Sequence, residues 1–152
     1  VTAALTRKPS SRFDRLIDKL RIHGHRITPQ RLAIFKVLVD SEAHPTVDQI
    51  YAEVKMTFPT TSLATVYKSV SVAKTMGEAL ELEFSQGSNR YDGRKPYPHP
   101  HVICTRCHKI TDSETVEVDQ MMERIVRETG FQIENHRLEF YGICADCQVD
   151  IT

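Results

Sequence analysis

The sequence is poor in several things, each of which excludes a class of protein. No stretch is apolar for long enough to span a membrane. The opening Val1-Thr-Ala-Ala-Leu-Thr-Arg-Lys-Pro-Ser10 has no run of signal-peptide length, so a cytoplasmic protein with no membrane partner is expected. Internal repeats and low-complexity tracts are missing, which leaves no basis for a solenoid or a disordered array. Cysteine is sparse, with four in 152 residues, too few for a disulfide-dense secreted scaffold. Net charge is missing too, because 20 Lys and Arg balance 20 Asp and Glu. A hydrophobic content of 40% is ordinary for a globular chain of one domain or two small ones, and it excludes disorder throughout.

The charge balance conceals a split. Residues 1–76 carry 12 Lys and Arg against 6 Asp and Glu, and residues 77–152 carry 8 against 14. A basic half joined to an acidic half suits a phosphate-binding module attached to a separate interaction module.

All four cysteines fall in C-x-x-C pairs, Cys104/Cys107 and Cys144/Cys147. Two residues between thiolates let both sulfurs of one turn reach a tetrahedral ion, and two such knuckles complete a four-thiolate zinc shell. A thioredoxin-like redox motif would supply one pair rather than two. The interval between Cys107 and Cys144 exceeds that of a simple zinc ribbon, so it must hold structure of its own.

Periodicity predicts four helices and a hairpin in the first half. Ser11-Arg-Phe-Asp14 reads as a helix start, followed at helical spacing by Phe13, Leu16, Ile17 and Leu20 as far as Gly24. Thr28-Pro29 caps a second helix carrying Leu32, Ile34, Phe35 and Leu38 and ending near Ser41. Thr46-x-x-Gln49 is a capping box for a third. A fourth runs from Thr61 or Ser62 to Gly77, with Leu63, Val66, Val70 and Ala73 on one face and Thr61, Ala64, Thr65, Lys68, Ser71 and Thr75 on the other. The alternating Leu80–Phe84, a turn at Gln86-Gly87-Ser88 and a return strand from Asn89 make a hairpin, which completes a winged helix-turn-helix.

Gly93-Arg-Lys-Pro-Tyr-Pro98 then reads as a hinge, giving a DNA-binding domain over residues 1–92, a hinge over 93–98 and a metal-binding domain over 99–152. In the last of these, strands are expected over 102–104 and 109–111, a helix over 116–129 and a strand over 131–143. The fold class is therefore α+β. Between Asp92 and Asp112, hard carboxylate and imidazole donors stand beside soft thiolates. Those donor sets prefer different metals, so two adjoining metal sites are expected.

Taken together, H-P-T-x-x-x-I-Y, S-x-A-T-V-Y-K, R-Y-D, H-P-H-x-I-C-x-x-C and H-R-L-E-F-Y-G-I-C-x-x-C resemble the ferric uptake regulator (Fur) family over nearly all of residues 11–148. The resemblance implies a homodimeric, metal-dependent bacterial transcription factor with an N-terminal winged helix and a C-terminal α/β dimerisation domain. It would bind double-stranded DNA at an inverted-repeat operator. It assigns structural Zn2+ to Cys104, Cys107, Cys144 and Cys147, and a regulatory site to His44, Asp92, His99, His101 and Asp112, whose donors suit Fe2+ or Mn2+.

The carboxylate after the first knuckle is usually Glu in iron-uptake repressors and Asp in the peroxide-stress branch, and here it is Asp112. That branch resemblance implies peroxide sensing by metal-catalysed oxidation of His44 or His99; the alternative is an iron-uptake repressor that binds its metal reversibly. A third metal site common in the family is expected to be absent or degenerate. Pro98 and Pro100 occupy its flanking positions and leave only Asp119 and His136.

For DNA, the resemblance implies base contacts by Tyr67 and Lys68 and a minor-groove cation at Arg26. Lys68 replaces the arginine often found there, and Tyr67 borders the apolar face, so core packing stays open for it. His23, His25 and His108 read as surface residues. Two rival readings remain: a metal-dependent hydrolase built on His99-x-His101, which would have no general base to spare, and a purely structural zinc protein. We expect a regulator and not an enzyme.

Overall fold

The structure, a computed structural model, describes residues 10–84, 87–114 and 117–149. The predicted turn residue Gln86 and helix start Val116 lie outside the described residues. The chain divides at Pro96/Tyr97 into two compact units.

The first unit contains α1 (Arg12–Ile22), α2 (Pro29–Asp40), α3 (Val47–Thr57), α4 (Leu63–Thr75), β1 (Leu80–Leu82) and β2 (Arg90–Asp92). Its helix starts follow the sequence signals. Ser11 and Asp14 form a capping box on α1, Thr46 and Gln49 form another on α3, and Thr28 and Ser62 cap α2 and α4. Each such cap satisfies amide N–H groups that have no partner inside the helix. Gly24 and Gly77, both at positive φ, end α1 and α4. There the amides of His25 and Glu78 reach back to the carbonyls of Leu20 and Ala73, a turn that glycine adopts without steric cost.

One core is shared by all four helices, with Leu16, Leu20, Ile34, Phe35, Leu38, Ile50, Val66 and Ala73 at 0% exposure. The expected faces of α4 need two corrections. Leu63 is 36% exposed and Thr61 only 5%. Thr61 precedes Ser62, the helix cap, so the chain's approach to the helix, and not the helical period, sets its direction. The hairpin is also shorter than the alternation suggests, pairing only Leu80↔Asp92, Glu81↔Tyr91 and Leu82↔Arg90. Glu81 is tied down rather than solvated. Burial alone would raise its pKa, but hydrogen bonds from Lys74, Asn89 and Tyr91 hold its carboxyl below the ordinary range.

Gly93 follows β2 directly and passes against α2. A Cβ there would lie 2.5 Å from Leu38 Cγ and 2.9 Å from the Leu38 carbonyl oxygen. Gly93→Ala must push the strand exit off α2, and it is expected to destabilise the first unit by about 1–3 kcal/mol. The check is a lower urea midpoint at unchanged slope.

The second unit contains β3 (His101–Cys104), β4 (Ile110–Asp112), α5 (Glu117–Thr129), β5 (Glu139–Gly142) and α6 (Ala145–Gln148). Its sheet has the order β4-β3-β5, with β3 antiparallel to β4 and parallel to β5. The strand expected over 131–143 is therefore confined to 139–142. Its partner β3 starts only after Pro98 and Pro100, which have no N–H with which to extend a ladder. Buried apolar residues are few here, namely Pro100, Ile103, Cys104 and Ile110 among the described residues. No residue of α5 is buried, and Met121, Ile125 and Val126 on it are exposed. No described helix is long and apolar enough to cross a membrane.

Candidate metal centres

The parallel pairing of β3 with β5 explains how two distant knuckles meet. The register sets Cys104 opposite Gly142, so Cys144 follows at the same end of the sheet. The Thr105 amide donates to the Gly142 carbonyl at 2.8 Å and fastens the first knuckle to the end of β5. The second knuckle is a short helix, with Cys144 at the N-cap of α6 and Cys147 within it. Lys109 and Asp146 pair across the two knuckles at 3.3 Å.

The four Sγ atoms lie within 4.8 Å of one another, and Cys107 and Cys144 are 3.7 Å apart. A tetrahedral zinc shell with Zn–S bonds of about 2.3 Å has an S···S edge of about 3.8 Å, so these thiols fit zinc. The Cys144 amide points at Cys104 Sγ from 3.4 Å. That amide, with those of Cys107 and Arg106, brings the Cys104 thiol down to about 5. Cys147, whose thiol hydrogen-bonds to Cys144 and Cys107, is pushed up to about 12. The amides around Cys104 thus favour its thiolate, and a divalent cation would neutralise the charge of the sulfurs as they ionise.

In the first unit, His44 and Asp92 are each 3% exposed, and His44 Nε2 lies 3.2 Å from Asp92 Oδ2. The other carboxylate oxygen, Oδ1, accepts from the amides of Arg94 and Lys95 at 3.0 and 2.9 Å, which fixes the plane of the group. His44 has φ +51°, in the left-handed region, a conformation that costs a non-glycine residue about 1–3 kcal/mol. The following Pro45 narrows the choice of backbone further.

In the second unit, His101 and Asp112 are register partners across β3 and β4. Asp112 Oδ1 lies 3.2 Å from His99 Nε2 and 3.6 Å from His101 Nε2, so one carboxylate oxygen faces both imidazoles. His99 Nδ1 is 2.8 Å from the Tyr97 carbonyl. An N–H on Nδ1 donating to that oxygen makes Nε2, which faces Asp112, the unprotonated nitrogen, the usual arrangement behind a metal-ligating histidine. Each half therefore joins imidazole nitrogen to carboxylate oxygen without sulfur, a donor chemistry that fits Fe2+ or Mn2+.

The residues expected to meet DNA are all on the surface of the first unit. Arg26 and Lys68 are exposed, and Tyr67 is 52% exposed, which removes core packing as its role. Arg31, which no sequence motif singles out, donates to the Arg26 carbonyl at 2.7 Å and to Ser69 Oγ of α4 at 3.4 Å. It ties the loop carrying Arg26 to the helix carrying Tyr67 and Lys68. Asp119 is exposed. The His136 amide donates to Asn135 Oδ1 at 2.8 Å, and its ring Nε2 has no hydrogen-bond partner among the described residues.

A model described as the ferric uptake regulator family matches residues 22–141. The chain belongs to this family. Among individual Fur-family relatives, it is 42% identical over 132 residues to the peroxide-responsive repressor PerR of Staphylococcus saprophyticus, covering 87% of this chain and 88% of that one. A solved structure of PerR from Streptococcus pyogenes, described as giving the structural basis for its peroxide sensing and gene regulation, is 32% identical with a TM-score of 0.54. It covers 95% of this chain and 99% of that one. The Helicobacter pylori ferric uptake regulator, at 22% identity and a TM-score of 0.80 over 94% and 97% of the two chains, shares the fold.

Proposed function

We propose that this Fur-family chain is a cytoplasmic, homodimeric, metal-activated transcriptional repressor that reports peroxide through oxidation of its own histidines. Zn2+ on Cys104, Cys107, Cys144 and Cys147 holds the second unit together. One Fe2+ or Mn2+ takes His44, Asp92, His99, His101 and Asp112 as its ligands. Binding those residues from both units would favour the DNA-competent arrangement over others and so raise operator affinity. The apolar residues left exposed on α5 and β5, among them Met121, Ile125 and Phe140, support a second copy of the chain as partner. The basic first half, with exposed Arg26, Tyr67 and Lys68, supports double-stranded DNA at an inverted repeat.

The observation that carries the reading is the single oxygen of Asp112 facing both His99 and His101. A short carboxylate engaged through one oxygen supports a site with room for a small oxidant. A bound Fe2+ would supply the electron that cleaves the peroxide O–O bond and would regain it as the ring is oxidised: overall one peroxide oxygen would be inserted into a ring C–H bond of His44 or His99, which loses two electrons, and the other would leave as water. The oxidised ring would be a poorer ligand, so metal and then DNA would be released. The Staphylococcus relative's name and the Asp at position 112 both favour this reading over reversible iron sensing.

The test is peptide mass spectrometry of zinc-replete protein loaded anaerobically with Fe2+ and treated with stoichiometric peroxide. Gain of one oxygen on the peptide containing His44 or His99, absent when Mn2+ replaces Fe2+, is the expected result. Unmodified peptides with iron bound would leave reversible iron sensing as the function.

A further inference from the structure

Strand β2 holds the residue 43–45 loop at several points, and only one of them is a metal-ligand candidate. The Arg90 guanidinium donates from Nε to the His44 carbonyl and from Nη2 to the Ala43 carbonyl. The Tyr91 amide donates to the Pro45 carbonyl at 3.0 Å. Asp92 Oδ2 then meets His44 Nε2 at 3.2 Å. Residues 90 and 92 are two apart on a strand, so their side chains leave the same face. That face directs Arg90 to the backbone of His44 while Asp92 meets its ring.

The backbone that Arg90 grips is an unfavourable one for its residue type. His44 sits at φ +51°, where side chains other than glycine are disfavoured, and it precedes a proline. A guanidinium presents two parallel N–H groups along one edge, which matches two successive carbonyls. A lysine ammonium offers no such fork.

From this geometry we infer that Arg90 is a positioning residue for the regulatory metal: by clamping the Ala43 and His44 carbonyls it sets the His44 ring against Asp92 and so fixes two of the five proposed ligands before metal arrives. The inference rests on reading His44 and Asp92 as ligands. Arg90 itself holds no metal. It belongs to the wing, so the same contacts fasten the wing strand to the ligand loop.

The experiment compares full-length, zinc-replete wild type, Arg90→Lys and Arg90→Gln, with Mn2+ binding read from the electron paramagnetic resonance signal of the free ion. Loss of a ligand-orienting partner typically weakens metal binding about 10–100-fold, and at least a tenfold loss is expected for Arg90→Gln with zinc content unchanged. Arg90→Lys keeps the charge and covers the case in which the glutamine variant does not fold. It is expected to fall short of wild type because it cannot bridge both carbonyls.

A second readout separates positioning from mere stabilisation. After Fe2+ and peroxide, oxygen gain in Arg90→Lys is expected to shift from the His44 peptide toward the His99 peptide. A lowered melting temperature with wild-type Mn2+ affinity and an unchanged ratio of the two peptides would overturn the inference. Failure of the wild type itself to take up Mn2+ would overturn the ligand reading and this inference with it.

Discussion

Cys144→Ser is expected to release the zinc and unfold residues 97–152 while leaving the first unit folded. The second unit has little else within itself to hold it, with Pro100, Ile103, Cys104 and Ile110 its only buried apolar residues among those described and none in α5. A core that small does not offset the entropy of ordering the chain. Zinc bound by four thiolates contributes about 10–16 kcal/mol in comparable sites, and that energy is folding energy. Serine keeps the size of the side chain and cannot provide a soft anionic ligand. The first unit has its own core around Leu16, Phe35 and Ile50. Limited proteolysis with zinc quantification is the check: cleavage confined to the C-terminal unit, with zinc lost, is expected. A protease-resistant second unit without zinc would show that the thiols are not its staple.

Asp92→Asn is expected to abolish activation of DNA binding by Mn2+ without disturbing the fold. The amide can keep its carbonyl oxygen where Oδ1 now accepts from Arg94 and Lys95, so the turn after β2 survives. What changes is the position of Oδ2, beside His44 Nε2, where an NH2 group would stand in place of an anionic oxygen. An NH2 group repels a cation. Coupling between a regulatory ligand and DNA is typically about 1–3 kcal/mol, or roughly 5–150-fold in affinity. Titration of operator DNA with and without Mn2+ should show that whole increment disappear, with the metal-free affinity and the zinc content at wild-type values. A variant that still responds to Mn2+ would remove Asp92 from the ligand set.

Much of this was open to reading in the chain alone. Caps at Ser11, Thr28 and Thr46 announce three helices because capping is a matter of three or four neighbouring residues, and the apolar period from Leu63 announces the fourth, whose cap the structure places at Ser62. The two C-x-x-C knuckles announced a thiolate site for the same reason, since the spacing within each turn is local. The expectations that fail do so where the chain's path between elements decides the outcome. Leu63 faces outward and Thr61 inward because of the path into α4. The stretch 131–138 stays out of the sheet because the prolines before β3 leave it no ladder to join.

Residue types, helix starts, the winged-helix pattern and the two C-x-x-C knuckles were thus determined by the sequence, since each depends on side chains close together along the chain, and the imidazoles and carboxylates were legible there only as candidate donors. The tertiary structure alone decided how those donors are held. The parallel register of Cys104 with Gly142, the passage of Gly93 over Leu38, and the grip of Arg90 on the left-handed His44 each join residues distant in sequence. Periodicity and spacing carry no information about such meetings, because packing and hydrogen-bond satisfaction settle them only once the chain has folded back on itself.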